Sequence, residues 1–314
     1  MDRLEAMSIL LTVVDSGSLS GASRSLRVPL PTVSRKISDL EAHLKAQLLI
    51  RSTRKLTLTS AGAAYIAACK RILEQVNDAE NAAAGEFVAP RGELAVTAPI
   101  LFGRLHVLPI LNAFLAAFPE ITVRLIFSDR NVHLIDDQID LAVRIGALPD
   151  SSMVATRVGA VRRVVCGSPA YFAAHGKPKR PEDLSSQAAV TFDMMGSAAF
   201  WDFVAPGAKT AQSVPIRSRL SVNTAEAAVD AAVAGVGVTR VLSYQSAQAV
   251  KDGKLDIVLA GFEPEPLPVN LVHAGQSLQP QKMRAFLDFV VPRLRERLSH
   301  LEAAQIGPVS VPVT

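Results

Sequence analysis

The sequence predicts three parts in order: a small basic head of helices and a hairpin, one long helix, and an α/β body with a mostly parallel sheet. Three observations carry this expectation. The charge is uneven, because residues 1–60 hold nine basic and five acidic side chains while residues 61–314 hold 24 of each. From Ser60 to Glu86 there is no proline, and the glycines, Gly62 and Gly85, sit near the ends. From Arg91 onward, strand-like apolar runs alternate with helical patterns.

The bulk composition narrows the classes. A chain of 314 residues implies two or three domains. With 49% hydrophobic residues it can bury a large core, so wholesale disorder is excluded. Two cysteines, Cys69 and Cys166, cannot build a disulfide framework and fit a reducing compartment. No uninterrupted apolar run reaches the roughly 18 residues that a membrane span needs. The first residues carry Asp2 and Glu5 and do not read as a signal peptide. The expectation is a soluble, cytoplasmic protein with no membrane partner.

Within the head, residues 2–15 read as an amphipathic helix with a stripe of Leu4, Met7, Leu11 and Val14, widened by Leu10. Asp15-Ser-Gly-Ser18 breaks it, and Ser18 suits the N-cap of a short second helix through Arg24 or Ser25. Val28-Pro29-Leu30-Pro31 stops that helix, and Pro31 fits the first turn of a third, where its missing N–H is harmless. Val33, Ile37, Leu40 and Leu44 would then face inward. Thr32, Ser34, Arg35, Lys36 and Asp39 lie on the other faces. Two short helices, a tight turn, and short polar and cationic side chains opening the second make a helix-turn-helix at about 18–38. Residues in the first turns of such a helix reach base edges in the major groove.

Leu48 to Ile50 and Leu56 to Thr59 read as two strands around the basic tip Arg51-Ser-Thr-Arg-Lys55. By itself that tip would be a solvated loop. Directly after a helix-turn-helix it reads as a wing set against phosphates or the minor groove. From Ser16 to Thr57 there are eight basic and two acidic residues, the footprint of a polyanion partner. In the long helix, Tyr65, Cys69, Ile72, Val76, Ala79 and Ala83 recur at spacings of four and three. That is a heptad seam, suited to pairing with another helix, although packing on its own domain would use the same stripe. Cys69 reads as a small core residue, and Cys166, after Val164-Val165, as buried.

These residues resemble the winged helix-turn-helix of LysR-type transcriptional regulators. The likeness runs through GSLSGASRSL, VPLPTVSRKISDLEAHL and LLIRSTRKLTLTSAG. Val33-Ser34-Arg35, Ile37 and Leu40-Glu41 fit the family's recognition-helix signature, while Arg51, Thr53, Arg54 and Leu58 to Gly62 fit its wing. Lys45 stands where the family usually has Gly, Leu49 replaces a common Phe, and Gly21 and Ser23 replace alanines. Gly21 is expected to loosen the second helix by about 1 kcal/mol relative to Ala. The resemblance continues through GELAVTAP, FPEITVRL, DLAVRIG, SPAYFAAHGKPKRPEDL and AGVGV. It implies a periplasmic-binding-protein-like, two-lobed effector domain over 91–300, with lobe I at 91–163 and 268–300 and lobe II at 164–267. The boundaries expected are 1–59 for the head, 60–88 for the linker and dimerisation helix, and 301–314 for a loose tail.

In the body, ELAVTA (93–98), ITVRLIF (121–127), IDLAVRI (139–145), RRVVC (162–166), AAVTF (188–192) and PVNLVH (268–273) read as strands. Helical patterns span Leu101 to Phe118, Thr224 to Ala234 and Leu278 to Leu298. The expected ligand cradle lies where strand ends meet helix starts. The helix entered at Pro99-Ile100 would offer its free backbone N–H groups to a carboxylate. Ser128, Arg144 and Phe192 end strands that point toward the same crevice. Asn223, three residues before Glu226, resembles a capping box. Asn223 would serve equally as a cap alone, Arg144 as a surface ion pair and Phe192 as core. His133 stands where relatives tend to have Asp, which would make any contact there pH-sensitive.

The expected partners are double-stranded DNA, a small-molecule effector of organic-anion or aromatic type, and a second copy through the linker helix. The resemblance further implies tetramers. No cofactor or metal is expected: the six histidines are dispersed and no GxSxG, Walker or HExxH motif is present. An enzyme is therefore disfavoured. A free-standing solute-binding protein would not need the basic head, and a non-specific architectural DNA binder would not need the body. One alternative stays open, a DNA-binding protein whose body has lost effector response and serves only as an oligomerisation scaffold.

Overall fold

The computed structural model describes residues 2–51, 56–84, 89–130, 134, 137–148, 153–192, 200–275 and 280–305. Two compact units divide the chain, Met1–Ala89 and Pro90–Thr314. In the first, α1 (Arg3–Asp15) begins where the Asp2 carboxylate accepts the amides of Leu4 and Glu5. Ala6, Ile9, Leu10 and Val13 are its buried residues. That is one position away from the stripe expected from spacing, and Leu4 is exposed. The helix is apolar over a wide sector, so packing selected the register where periodicity alone was ambiguous.

α2 (Leu19–Leu26) starts at Ser18, whose Oγ accepts from Gly21 N. A Cβ on Gly21 would lie 2.9 Å from that Oγ and 3.0 Å from Ser16 Cβ. The glycine therefore makes room for the cap, which offsets the loosening expected from it. α3 (Leu30–Leu44) carries Pro31 in its first turn and buries Val33, Ile37 and Leu40. Lys45 caps it with φ 52°, a left-handed conformation that a Cβ resists. Glycine would adopt this conformation without that cost.

β1 (Leu49–Arg51) and β2 (Leu56–Leu58) pair antiparallel. Glu41 on α3 fixes their start, because its Oε1 accepts from Leu48 N at 2.8 Å and Leu49 N at 3.0 Å. Thr59 then joins the hairpin to α4 (Ser60–Ala84): its hydroxyl donates to Gln47 O at 2.7 Å and accepts from Gly62 N at 2.9 Å. A Cβ on Gly62 would stand 2.1 Å from Leu48 O, so only glycine allows this approach. The apolar stripe of α4 is divided along its length. Ile66 and Cys69 are buried in the head, while Ile72 is exposed. Cys69 is thus a core residue of its own protomer.

The second unit contains two five-stranded sheets. β3 (Gly92–Ala98) leads into one helix of three segments: α5 (Ile100–Phe102), a π-helical turn (Gly103–Val107) and α6 (Leu108–Ala117). This helix is long and apolar enough to cross a membrane by length and composition. Here it packs as core, with Phe102, Leu111 and Phe114 buried. β4 (Ile121–Phe127), β5 (Leu141–Ile145) and β6 (Met153–Val161) follow. The chain then enters the second sheet through β7 (Arg163–Gly167), α7 (Pro169–His175), β8 (Ala188–Phe192), β9 (Phe200–Phe203), β10 (Gln212–Pro215) and β11 (Arg217–Val222). α8 (Ala225–Val233), β12 (Val238–Leu242), α9 (Ser243–Lys251) and β13 (Asp256–Val258) complete that half, and β14 (Leu267–Ala274) and α10 (Gln281–Gln305) return to the first.

The strand orders are β4-β3-β5-β14-β6 and β11-β8-β12-β7-β13, with β9 and β10 as a separate hairpin. Both sheets are mixed, which corrects the expectation of a mostly parallel sheet. β3 is parallel to β4 and β5, but β14 is antiparallel to β5 and β6; β7 is likewise antiparallel to β12 and β13. The antiparallel strands flank the two crossings between sheets, which carry no α-helix and, on the return, only the short 3-10 turn Ala260–Phe262. Along α10, Phe286, Val290, Leu294 and Leu298 lie four apart and are buried. Leu301 packs on the same core. Residues 301–305 are accordingly helical rather than tail; residues 306–314, and the linker end at 85–88, lie outside the described residues.

Gly62→Ala should cost about 1–3 kcal/mol of head stability through overpacking. Urea unfolding of the wild-type and variant chains measures it, and an unchanged midpoint would refute the close approach.

Candidate functional site

On the head, α3 turns its apolar side inward, so Thr32 and Arg35 are exposed on the opposite side while Ser34 and Lys36 are half-buried. The Arg35 side chain is 83% exposed, with Asp39 at 3.8 Å one turn on. Lys36 is paired to Glu5 of α1. That pairing ties the two helices together and partly neutralises the charge expected to face DNA. Pro31, Thr32, Arg35, Lys36 and Asp39 line a depression of about 470 Å³. Arg51 ends β1. Thr53, Arg54 and Lys55, expected at the wing tip, lie outside the described residues.

In the body, a cleft of about 510 Å³ opens between the two sheets. Pro99 and Phe192, both expected there, line it. Ile100 adjoins Pro99, but its amide already donates to Asp129 Oδ1 at 3.0 Å. The helix start is therefore capped by a resident carboxylate and is not a vacant anion cradle. Ser128 holds its own turn, accepting from Arg130 N at 3.2 Å. Arg144 donates to Arg130 O at 3.5 Å, and burial lowers its pKa. Neither Ser128 nor Arg144 is among the residues that line the cleft. Asn223 is exposed and is not the cap of α8: Thr224 is, accepting from Ala227 N at 3.3 Å. Glu226 pairs instead with Arg104 at 3.9 Å. His133 lies outside the described residues.

The cleft also contains residues that the sequence did not single out: Asp129, Arg163, Trp201, Arg240, Tyr244 and Gln245. Arg163 opposes Leu242 and Arg240 opposes Val165, which sets the two arginines diagonally on one face of the β7–β12 ladder. The Arg240 guanidinium lies 5.3 Å from the Trp201 ring centroid and donates to Asp202 O at 3.2 Å. Burial and the neighbouring Arg163 lower its pKa to about 10. The signal was legible in retrospect, as charges interrupting the apolar runs RRVVC and VTRVL and as the protein's single tryptophan.

Tyr244 closes the cleft floor by packing on α5 and the π turn. Its ring meets Phe102 edge-on at 5.3 Å and His106 at 5.6 Å. His106 Nδ1 accepts from Arg297 Nε at 3.1 Å, and burial together with that cation lowers its pKa to about 4. Arg162, at one crossing between the sheets, pairs at 3.4 Å with Glu263 on the other, and burial raises the Glu263 pKa. Cys166 is pushed up to about 12 by burial, so its thiol stays protonated. Among the described residues no cluster of three or more His, Cys, Asp or Glu is placed to hold a metal.

A helix-turn-helix with an exposed polar and cationic helix, joined to a two-sheet body with a ligand-sized cleft, defines a ligand-binding regulator of transcription. The family of bacterial regulatory helix-turn-helix proteins of lysR type matches residues 4–63, and the LysR substrate binding domain matches 88–295. The chain belongs to the LysR family of transcriptional regulators. It is 35% identical over 290 residues to an HTH-type transcriptional regulator of Xanthomonas campestris, covering 91% of this chain and 84% of that one. It is 30% identical over 288 residues to the transcriptional activator AaeR of Escherichia coli, covering 92% and 93%. The solved structure of CrgA, a LysR-type regulator from Neisseria meningitidis, matches with TM-score 0.59 and 29% identity, covering 92% and 98%.

Because the folded-state pKa of His106 lies below the unfolded value of 6.5, the unfolded chain takes up the extra proton. The corresponding stability is whole above pH 6.5 and is lost as pH falls toward 4, by at most about 1.4 kcal/mol per unit. Urea unfolding at pH 7 and pH 5 should show the fall in the wild type and a smaller one in His106→Asn; equal falls would refute the assignment.

Proposed function

We propose that this chain reads an operator with Thr32, Ser34, Arg35 and Lys36 in the major groove and with Arg51, Thr53, Arg54 and Lys55 at the backbone or minor groove. A small molecule in the body's cleft controls that binding. The observation that carries the reading is the exposure of Thr32 and Arg35 on the first turns of a helix whose other side is buried. Such placement gives base contact to the short side chains and leaves the buried stripe to hold the helix. The ligand-sized cleft supports effector control over a body that acts as scaffold alone.

The functional division follows: 1–59 reads DNA, 60–88 pairs protomers, and 91–300 binds effector. On α4 the part of the heptad beyond the head, Ile72, Val76, Ala79 and Ala83, offers the seam for a second copy. A dimer carries two heads, so its operator is an inverted repeat with half-sites one helical turn, or a multiple, apart. Effector binding shifts the balance between arrangements of the heads by its differential affinity for them. Such a protein works in the cytoplasm.

Duplexes selected from a random pool on the wild-type protein supply the operator for testing. Arg35→Ala should weaken binding to the selected sequence by about 5- to 150-fold, as loss of a base contact does, with the melting curve unchanged. Unaltered affinity in a gel-shift titration would remove Arg35 from the contact. Neutralising Arg54 and Lys55 together should flatten the slope of log affinity against log salt by about 1–2 units. An unchanged slope would take the wing off the phosphates.

A further inference from the structure

The cleft is electrically divided in a way that the effector-binding reading does not require. Its second-sheet wall carries two arginines, and its first-sheet wall carries one carboxylate, Asp129, already engaged by Ile100 N. Among the described residues neither Arg163 nor Arg240 makes an ion pair. Asp202 favours the Arg240 charge from longer range, but its Oδ1 is held by the Ser213 hydroxyl.

Two like charges on diagonal positions of a strand ladder repel, and each is half-buried, so the arrangement costs the empty protein stability. A structural role would be met better by one arginine with a carboxylate, as Arg162 and Glu263 show at the nearby crossing. Arg240 is further restrained by Trp201 below it and by Asp202 O, so its guanidinium is held in place before any ligand arrives. Planar, fixed guanidinium groups match carboxylate geometry. Phe192, half-buried at the cleft wall, supplies flat apolar surface beside them, while Trp201 is 3% exposed and backs Arg240 from beneath.

We infer that Arg163 and Arg240 form the anion anchor of the cleft, and that the effector is a small carboxylate with an aromatic or other flat apolar body. The inference rests on the cleft being the effector site and adds which wall holds the charge and by which residues. The carboxylate takes the two guanidinium groups on the second sheet, and the flat body lies against Phe192 toward Pro99 on the first. Ligand charge then replaces the repulsion between the arginines.

The test uses the full-length chain and thermal melting with benzoate, and with benzamide as the neutral analogue of the same shape. Benzoate should raise the wild-type melting temperature by about 2–4 °C at saturating concentration, with benzamide giving little shift. Arg163→Met and Arg240→Met should each abolish the difference between the two probes. Without ligand, Arg163→Met should melt higher than wild type, because it relieves the repulsion. Benzoate stabilising the wild type no more than benzamide, or Arg163→Met melting lower without ligand, overturns the anchor. Equal, non-zero shifts by both probes would leave a ligand-binding cleft without charge selection, and operator affinity, measured separately, reports on the regulator reading.

Discussion

The body is shaped by the chain crossing between its two sheets only twice. β6 ends at Val161 and β7 begins at Arg163, while the return runs from Val258 to Leu267. A single residue, Arg162, makes the outward step. Ser243 fastens it, donating from N to Arg162 O at 2.8 Å and accepting from Arg162 N at 3.2 Å, and Glu263 on the return segment takes its side chain. Because the crossings are side by side and direct, the strands that flank them are antiparallel in both sheets. The cleft opens beside them, and Arg163, one residue beyond the crossing, is delivered to its wall. Fold, cleft and charge placement thus descend from one constraint on the path of the chain.

In the head, the corresponding constraint is the contact between wing and helices. Glu41 reaches from α3 to the first amides of the hairpin, Thr59 spans the hairpin end and the start of α4, and Gly62 lets α4 approach Leu48 O. Glu41 and Thr59 are half-buried and Gly62 is buried. They set the hairpin against α3 and the start of α4. Lys36, by contrast, divides its charge between Glu5 and the exposed side of α3.

Several elements were legible because their causes are local. Ser18 as a cap, Pro31 in a first turn, and Val33, Ile37 and Leu40 as an inward stripe each follow from neighbours within four residues. ITVRLIF and AAVTF were bounded to the residue because apolar runs flanked by turns leave little choice. The cleft fared less well. Pro99 and Phe192 line it, but Ser128 serves its own turn, Arg144 reaches from β5 to Arg130 O, and Thr224 took the cap expected of Asn223. The vacant helix start was filled by Asp129, a residue 29 positions away. Strands such as Arg217–Val222, largely exposed and polar, carry no apolar signal to read.

The sequence by itself determined the division into basic head, long helix and neutral α/β body, the helix-turn-helix and the family, because charge distribution, periodicity and capping are encoded along the chain. Only the tertiary structure decided that α1 buries Ile9 rather than Leu4, that Cys69 belongs to its own protomer, that the sheets are mixed, and that Arg163 and Arg240 share a wall. Each of these depends on which distant segment arrives opposite, and a pairing such as Arg163 with Leu242 joins residues far apart in the chain. Spacing along one segment cannot specify it; the packing of two segments does.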